Sequence, residues 1–282
     1  MRIDGYGMLR HSNRRWLPGR IRRVAPAMAI VSLAAVLSAA ARADDELPAR
    51  VGRVAEVSGQ LFLAPEDRAN DRAEVGVNYP VTSGDNLWVS ADGRAEVEYG
   101  GGQFRLTGDT SLHVSRLDDH RLSLFIARGR AIVRVRVLEP GEVARVDAPN
   151  TQVQFTRPGL YRIDLGADRT TTVVTVREGE ARVAFASATQ QVLPGQTATL
   201  IGPEPVAADV RNGIDQDPFD FWSADRDRYY ERGRGNPYVS SQMIGYAELD
   251  NYGTWQTYPD YGPVWFPASV APGWRPTATA IG

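Results

Sequence analysis

From Ala49 to Leu200 the chain alternates apolar and polar residues in short runs separated by glycine and proline turns. In Arg94-Ala95-Glu96-Val97-Glu98-Tyr99 the apolar Ala95, Val97 and Tyr99 fall on one side and the charges on the other. Val133, Val135 and Val137 alternate with Arg134 and Arg136, Tyr161, Ile163 and Leu165 with Arg162 and Asp164, and Ala181, Val183 and Phe185 with Arg182. Successive side chains of a strand point to opposite faces, so a period of two specifies strands with one buried face. Ser58-Gly59, Asp92-Gly93, Gly100-Gly101-Gly102, Pro140-Gly141, Pro158-Gly159, Glu178-Gly179 and Pro194-Gly195 supply the turns. The predicted fold is all-β, of short antiparallel strands. Periodicity leaves open a sandwich, rolled hairpins or a β-helix-like stack. The polar, unpatterned Pro65–Val81 reads as a long loop, and Glu96 and Glu98, on one polar face, as a solvated pair.

After Gly202 the pattern ends. Residues 203–237 read as a linker holding one amphipathic helix over 217–232. Asp217 suits the N-cap, Pro218 the first helical position, Asp220 the third, and Gly233 the stop. Phe219, Trp222, Arg226, Tyr229 and Tyr230 fall near one face, which is expected to pack on the β domain or the tail, with a partner-binding helix as the alternative. Residues 238–282 are an irregular tail rich in Tyr, Trp, Gly and Pro. There Tyr252, Trp255, Tyr261 and Trp265 are candidate ligand-binding aromatics, because exposed rings stack on sugars or grip peptides. The competing expectation is that these rings build the tail's own core.

The N-terminus carries a second constraint. Seven arginines against one aspartate occupy the first 23 residues, and an uncharged stretch follows from Ala25 to Ala41. Ala41-Arg42-Ala43 places small residues at −3 and −1 of a cut before Asp44, so residues 1–43 read as a secretory signal peptide. An uncleaved anchor is the competing reading. Ser12-Asn13-Arg14-Arg15-Trp16-Leu17 leaves twin-arginine and general secretion both open as the export route. Cleavage leaves 24 basic against 33 acidic residues, a net charge of −9, with every basic residue an arginine. That balance argues against a nucleic-acid partner, which demands a basic face. With no cysteine in the chain, disulfides and thiolate chemistry are excluded. No later stretch is apolar enough to span a membrane, so none is expected in the mature chain.

No catalytic or metal constellation stands out. His113 and His120 flank a turn with Asp118-Asp119, but without the spacing of a metal or triad motif. Asp215, Asp217 and Asp220 lack the glycine and glutamate of a calcium loop. Neither an enzyme nor a cofactor is expected.

Five ordered segments resemble FecR-type domains: "GDNLWVSADGRAEVEYGGGQFRLTGDTSLHV" (84–114), "LSLFIARGRAIVRV" (122–135), "ARVDAPNTQVQFTRPGLYRIDL" (144–165), "TTVVTVREGEARV" (171–183) and "VLPGQTATL" (192–200). The resemblance covers residues 44–202 as one β domain. Leu249-Asp250-Asn251-Tyr252-Gly253-Thr254-Trp255 and Tyr261-Gly262-Pro263-Val264-Trp265-Phe266-Pro267 resemble the first units of a DUF6600-type region, which makes 238–282 a partial copy. FecR regulators bind a sigma factor through a cytoplasmic domain, whereas only 23 residues precede the apolar stretch here. The resemblance therefore implies a non-enzymatic, exported module without the sigma-binding half, binding or sensing in the periplasm or medium of a Gram-negative bacterium. Its expected partner is an envelope protein or polysaccharide. The alternative is an envelope polysaccharide- or peptidoglycan-binding protein that uses the tail aromatics.

Overall fold

The computed structural model describes residues 50–205, 207–233 and 237–270. The predicted cleavage residues Ala41, Ala43 and Asp44 lie outside the described residues, as does the tail segment Gly273-Trp274-Arg275-Pro276.

Six short strands come first: β1 (Gly52–Ser58), β2 (Leu61–Ala64), β3 (Ala73–Val75), β4 (Pro80–Val81), β5 (Asn86–Val89) and β6 (Arg94–Tyr99). They lead into a long ribbon made of β7 (Gly102–Leu117) and β8 (Arg121–Val135). β9 (Val143–Ala148), β10 (Thr151–Phe155), β11 (Gly159–Leu165) and β12 (Thr171–Glu178) follow. β13 (Ala181–Phe185), β14 (Ala188–Val192), β15 (Gln196–Ile201) and β16 (Ala208–Asn212) complete the domain.

The ribbon decides the architecture because it bends in the middle. Gly108 and Asp109 in β7, and Gly129 in β8, have φ of 47°, 54° and 91°, and the pairing register slips between Thr107 and Ser111. At Gly129 an added Cβ would lie 2.5 Å from the Thr110 hydroxyl and 2.6 Å from its Cα, so the close approach there requires glycine. Each half of the ribbon then joins a different set of strands. Gly102–Thr107 pairs with β6 and Arg130–Val135 with β11, whereas Ser111–His113 pairs with β5 and Arg121–Phe125 runs parallel to β9. One layer therefore runs β4-β1-β6-β7-β8-β11-β12-β15-β16 and the other β3-β2-β5-β7-β8-β9-β10-β13-β14. Val97, Phe104, Val133 and Ile163 of the first layer share one buried core with Leu87, Leu112, Leu124 and Val153 of the second. Two sheets closing over a common core form a sandwich. The all-β prediction holds, and the bend selects the sandwich among the alternatives.

Pro65–Val81 is not the uniform loop expected. It holds a 3-10 turn at Glu66–Arg68, then β3 on β2 and β4 on β1, with Val75 and Val81 buried. Strands of three and two residues are too short to display alternation.

After the sandwich comes the predicted helix, α1 (Pro218–Gly233), which crosses the outer face of the first layer. A 3-10 turn (Tyr246–Glu248) and a short helix, α2 (Leu249–Tyr252), lead into the antiparallel hairpin of β17 (Gly253–Tyr258) and β18 (Gly262–Pro267). The tail is thus less irregular than its composition suggested. No described helix is long and apolar enough to cross a membrane.

Candidate functional site

α1 begins as its sequence dictates. One Asp217 carboxylate oxygen accepts the Phe219 and Asp220 amides at 2.9 and 3.2 Å, while the Asp220 carboxylate accepts the Asp217 amide at 3.0 Å. This is a reciprocal capping box with Asp in both places. Arg162 on β11 reaches the same two acids, bonding Asp217 at 2.9 Å and Asp220 at 2.6 Å, with Asp164 beside it at 2.7 Å. The guanidinium holds the Asp217 carboxyl far below the ordinary aspartate range. The cap of the helix is therefore also its first attachment to the sheet.

Cross-strand register supplies the rest of the seat. Glu56, Glu96, Arg105, Ile132, Arg162 and Thr175 stand side by side across β1, β6, β7, β8, β11 and β12. Ile132 and Leu160 meet Phe219 and Trp222 in a small apolar island, and charge surrounds it. Arg105, fully buried, donates to Glu96 at 2.7 Å, to the Ser223 hydroxyl at 2.7 Å and to Asp227 at 2.8 Å. Arg226 and the Tyr230 hydroxyl reach Glu96 from the helix at 2.8 and 2.9 Å, and Arg134 pairs with Asp227 from β8. The Trp222 indole donates to Glu56 at 3.0 Å. Burial drives the Glu96 and Asp227 carboxyls up, but the adjoining arginines outweigh it and leave both below their ordinary values.

Glu96 and Glu98 therefore do not form the solvated face expected; they are 0% and 2% exposed. Alternation identified the face they share but carried no information on what covers it. Arg105, Arg134 and Asp227 were missed for the same reason. A signal was present: Asp220, Ser223, Asp227 and Tyr230 recur at the three- and four-residue spacing of the helix face that meets the alternating arginines. The aromatic stripe packs on the β domain: Phe219 and Tyr230 are buried, and Trp222 and Tyr229 half-buried.

The tail is attached by a second ionic bridge. Arg53 on β1 joins Glu98 at 3.0 Å and Glu248 at 2.6 Å, and the Gly245 amide donates to Glu98 at 3.0 Å. Burial raises the Glu98 carboxyl despite these partners. The buried Tyr246 donates its hydroxyl to the Tyr230 carbonyl at 3.1 Å.

From this anchor the hairpin sorts the four predicted aromatics into two pairs. Trp255 and Trp265 are cross-strand partners and both half-buried. The Trp265 indole donates to the Leu249 carbonyl at 3.1 Å, and its ring packs so closely on Gly253 that a Cβ there would lie 2.3 Å away. Trp255 packs against Tyr238 with ring centroids 5.0 Å apart. Tyr252 and Tyr261 point outward, 64% and 81% exposed, joined by Tyr258 at 42%. Two rings build the hairpin, Tyr261 is displayed in its turn and Tyr252 at the end of α2.

Elsewhere His113 lies on β7, bonded through its ring to Asn86 at 3.2 Å, and His120 in the β7–β8 turn, its amide donating to Asp118 at 2.9 Å. Beside α1 a groove of about 380 Å³ is lined by Arg134, Leu160, Arg177, Phe221 and Asp227. Its guanidiniums and carboxylates already engage one another: Arg134 holds Asp227 and Arg177 holds Asp220. Among the described residues no group of three or more acidic or histidine side chains is placed to hold a metal ion.

No protein-family model and no curated protein sequence matches the chain. Two crystal structures of a candidate anti-sigma factor from Parabacteroides distasonis, at 2.50 and 1.65 Å resolution, are similar to it at 14% and 12% identity. Their TM-scores are 0.41 and 0.43, and each match covers 65% of this chain and 99% of the other.

Proposed function

We propose that this chain is a non-enzymatic, exported binding or sensing module of the cell envelope, and that the tail hairpin is its recognition surface. The carrying observation is the division of the tail aromatics: Trp265 is tied to Leu249 of α2 by its indole hydrogen bond, while Tyr252 at the end of α2 and Tyr261 in the hairpin turn are displayed. Displayed tyrosines supply large contact area at low entropic cost, with a hydroxyl at the tip. The proposal of export rests on the basic segment, the apolar stretch and Ala41-Arg42-Ala43. The ionic clamp over α1 supports a module that presents a rigid surface, since a binding site gains affinity when its scaffold is fixed in advance.

A second reading, an envelope polysaccharide- or peptidoglycan-binding protein, is favoured by the same exposed rings, which present flat faces to sugars. Retention of the purified chain on envelope fractions tests both. Wild type is expected in the bound fraction. Tyr252→Ala with Tyr261→Ala should release it at unchanged melting temperature, whereas Trp265→Ala should cost about 1–3 kcal/mol of stability through lost packing and a lost hydrogen bond. Protease treatment of the fraction abolishes binding to a protein partner, and glycan digestion abolishes binding to a polysaccharide. Full retention of the double tyrosine variant would remove the hairpin from the proposal.

A further inference from the structure

The first layer ends at β16 (Ala208–Asn212), which pairs with β15 on one side. Among the described residues no strand pairs with it on the other. The alternation of an antiparallel pair fixes which backbone groups are left over. Gly213 donates its amide to the Gly195 carbonyl at 2.9 Å, and the register continues with Arg211 opposite Thr197 and Asp209 opposite Thr199. Counting back from that bond, Arg211 and Asp209 turn their amides and carbonyls to β15. Those of Ala208, Val210 and Asn212 therefore point away from the sheet. An open row of this kind is a template for another strand.

The other free edges are short or uncharged. β3 and β4 have three and two residues, and β4 begins with Pro80. β14 has five residues but no charge, and the Gln190 side chain already donates to the Gln191 carbonyl. β16 instead carries opposite charges on either side of Val210. Asp209 and Arg211 are exposed on the outer face, while Ala208 and Val210 pack half-buried against the core. Asp209 enters no ion pair among the described residues. Arg211 bridges Asp215 at 2.7 Å, but the two side chains are 50% and 87% exposed, so water competes for that bridge.

We propose that β16 is the edge through which two copies of this chain pair, antiparallel about a two-fold axis at Val210. In that register the outward groups of Ala208, Val210 and Asn212 meet those of Asn212, Val210 and Ala208 of the second copy. Asp209 and Arg211 then face each other across the axis as non-hydrogen-bonded pairs, where side chains lie closest. The same charges reject the neighbouring registers. Centring on Asp209 opposes two carboxylates and centring on Arg211 two guanidiniums, and like charges directly opposite destabilise a strand pair. Centring on Ala208 or Asn212 carries most of each strand past the end of the other. A self-complementary strand makes an isologous contact, which closes at two copies and consumes both edges. The inference goes beyond the hairpin reading and stands whatever the hairpin binds.

Sedimentation velocity of the full chain over a concentration series tests it. Wild type is expected to dimerise with a dissociation constant of about 10 µM, as suits a contact at the small end of specific interfaces. Asp209→Arg and Arg211→Asp should each weaken dimerisation about tenfold or more, because each opposes like charges twice. Mixed in equal amounts the two variants should recover a heterodimer, since every like pair becomes an opposite one. Val210→Pro removes an outward amide that β15 does not use, so it should give a monomer whose circular dichroism is unchanged. Wild type that stays monomeric at about 100 µM overturns the inference. So does dimerisation undiminished by Asp209→Arg or Val210→Pro, or a mixture of folded variants that does not recover. Oligomers that grow past two copies also overturn it and point to β16 meeting β14 of the next copy.

Discussion

Arg105 and Asp227 illustrate what arginine does here that lysine cannot. A planar fork with five donors lets Arg105 bond Glu96, Ser223 and Asp227 from a fully buried position, and the same geometry lets Arg162 hold three aspartates. The exclusive use of arginine is visible in the composition, but nothing in composition alone reveals that these side chains are buried and paired. A buried pair of this kind is a poor source of net stability but a costly thing to break, at about 3–5 kcal/mol. Asp227→Asn should therefore lose about that much at pH 7, measured by urea unfolding. The pH dependence follows from the depressed folded-state value of Asp227. The contribution is fully present above the unfolded carboxyl value of about 3.9 and fades as pH falls through it toward the lower folded value. The gap between wild type and variant should close over that acidic range. Glu98 and Asp164, raised by burial, titrate in the opposite sense: their protonated forms favour the folded state as pH falls through their folded values.

At the scale of elements, α1 and the β7–β8 ribbon were legible to different degrees. The helix start was readable because capping is local: Asp217, Pro218 and Asp220 lie within four residues of each other and act on each other's amides. The ribbon's bend was not readable. Gly108 and Gly129 look like any other turn glycine, and only the pairing of distant strands shows that they steer one hairpin into two layers. A β-methyl at Gly129 meets Thr110 and demands a positive φ from alanine. Gly129→Ala is predicted to cost about 1–3 kcal/mol, visible as a lowered melting temperature, with the far-ultraviolet signature of the sandwich retained below it.

Across the whole molecule, alternation specified one buried face per strand and so revealed the core, yet the two outer faces differ in a way no strand pattern records. One is covered by α1 through the charged row of Glu96, Arg105 and Arg162; the other carries the half-buried Phe125, Arg145 and Asp147. The hairpin was legible only as an aromatic-rich stretch, because its division into Trp265 and Tyr261 roles depends on the Leu249 carbonyl and the close fit on Gly253. In the resulting account α1 is a fixed clamp and the hairpin is the surface that meets a partner. Hydrogen exchange of the full chain, with and without a detergent-solubilised envelope extract, tests that division most directly. The account predicts new protection confined to residues 252–262, with α1 equally protected in both states. Protection or release at residues 218–233, with the hairpin unchanged, would contradict it.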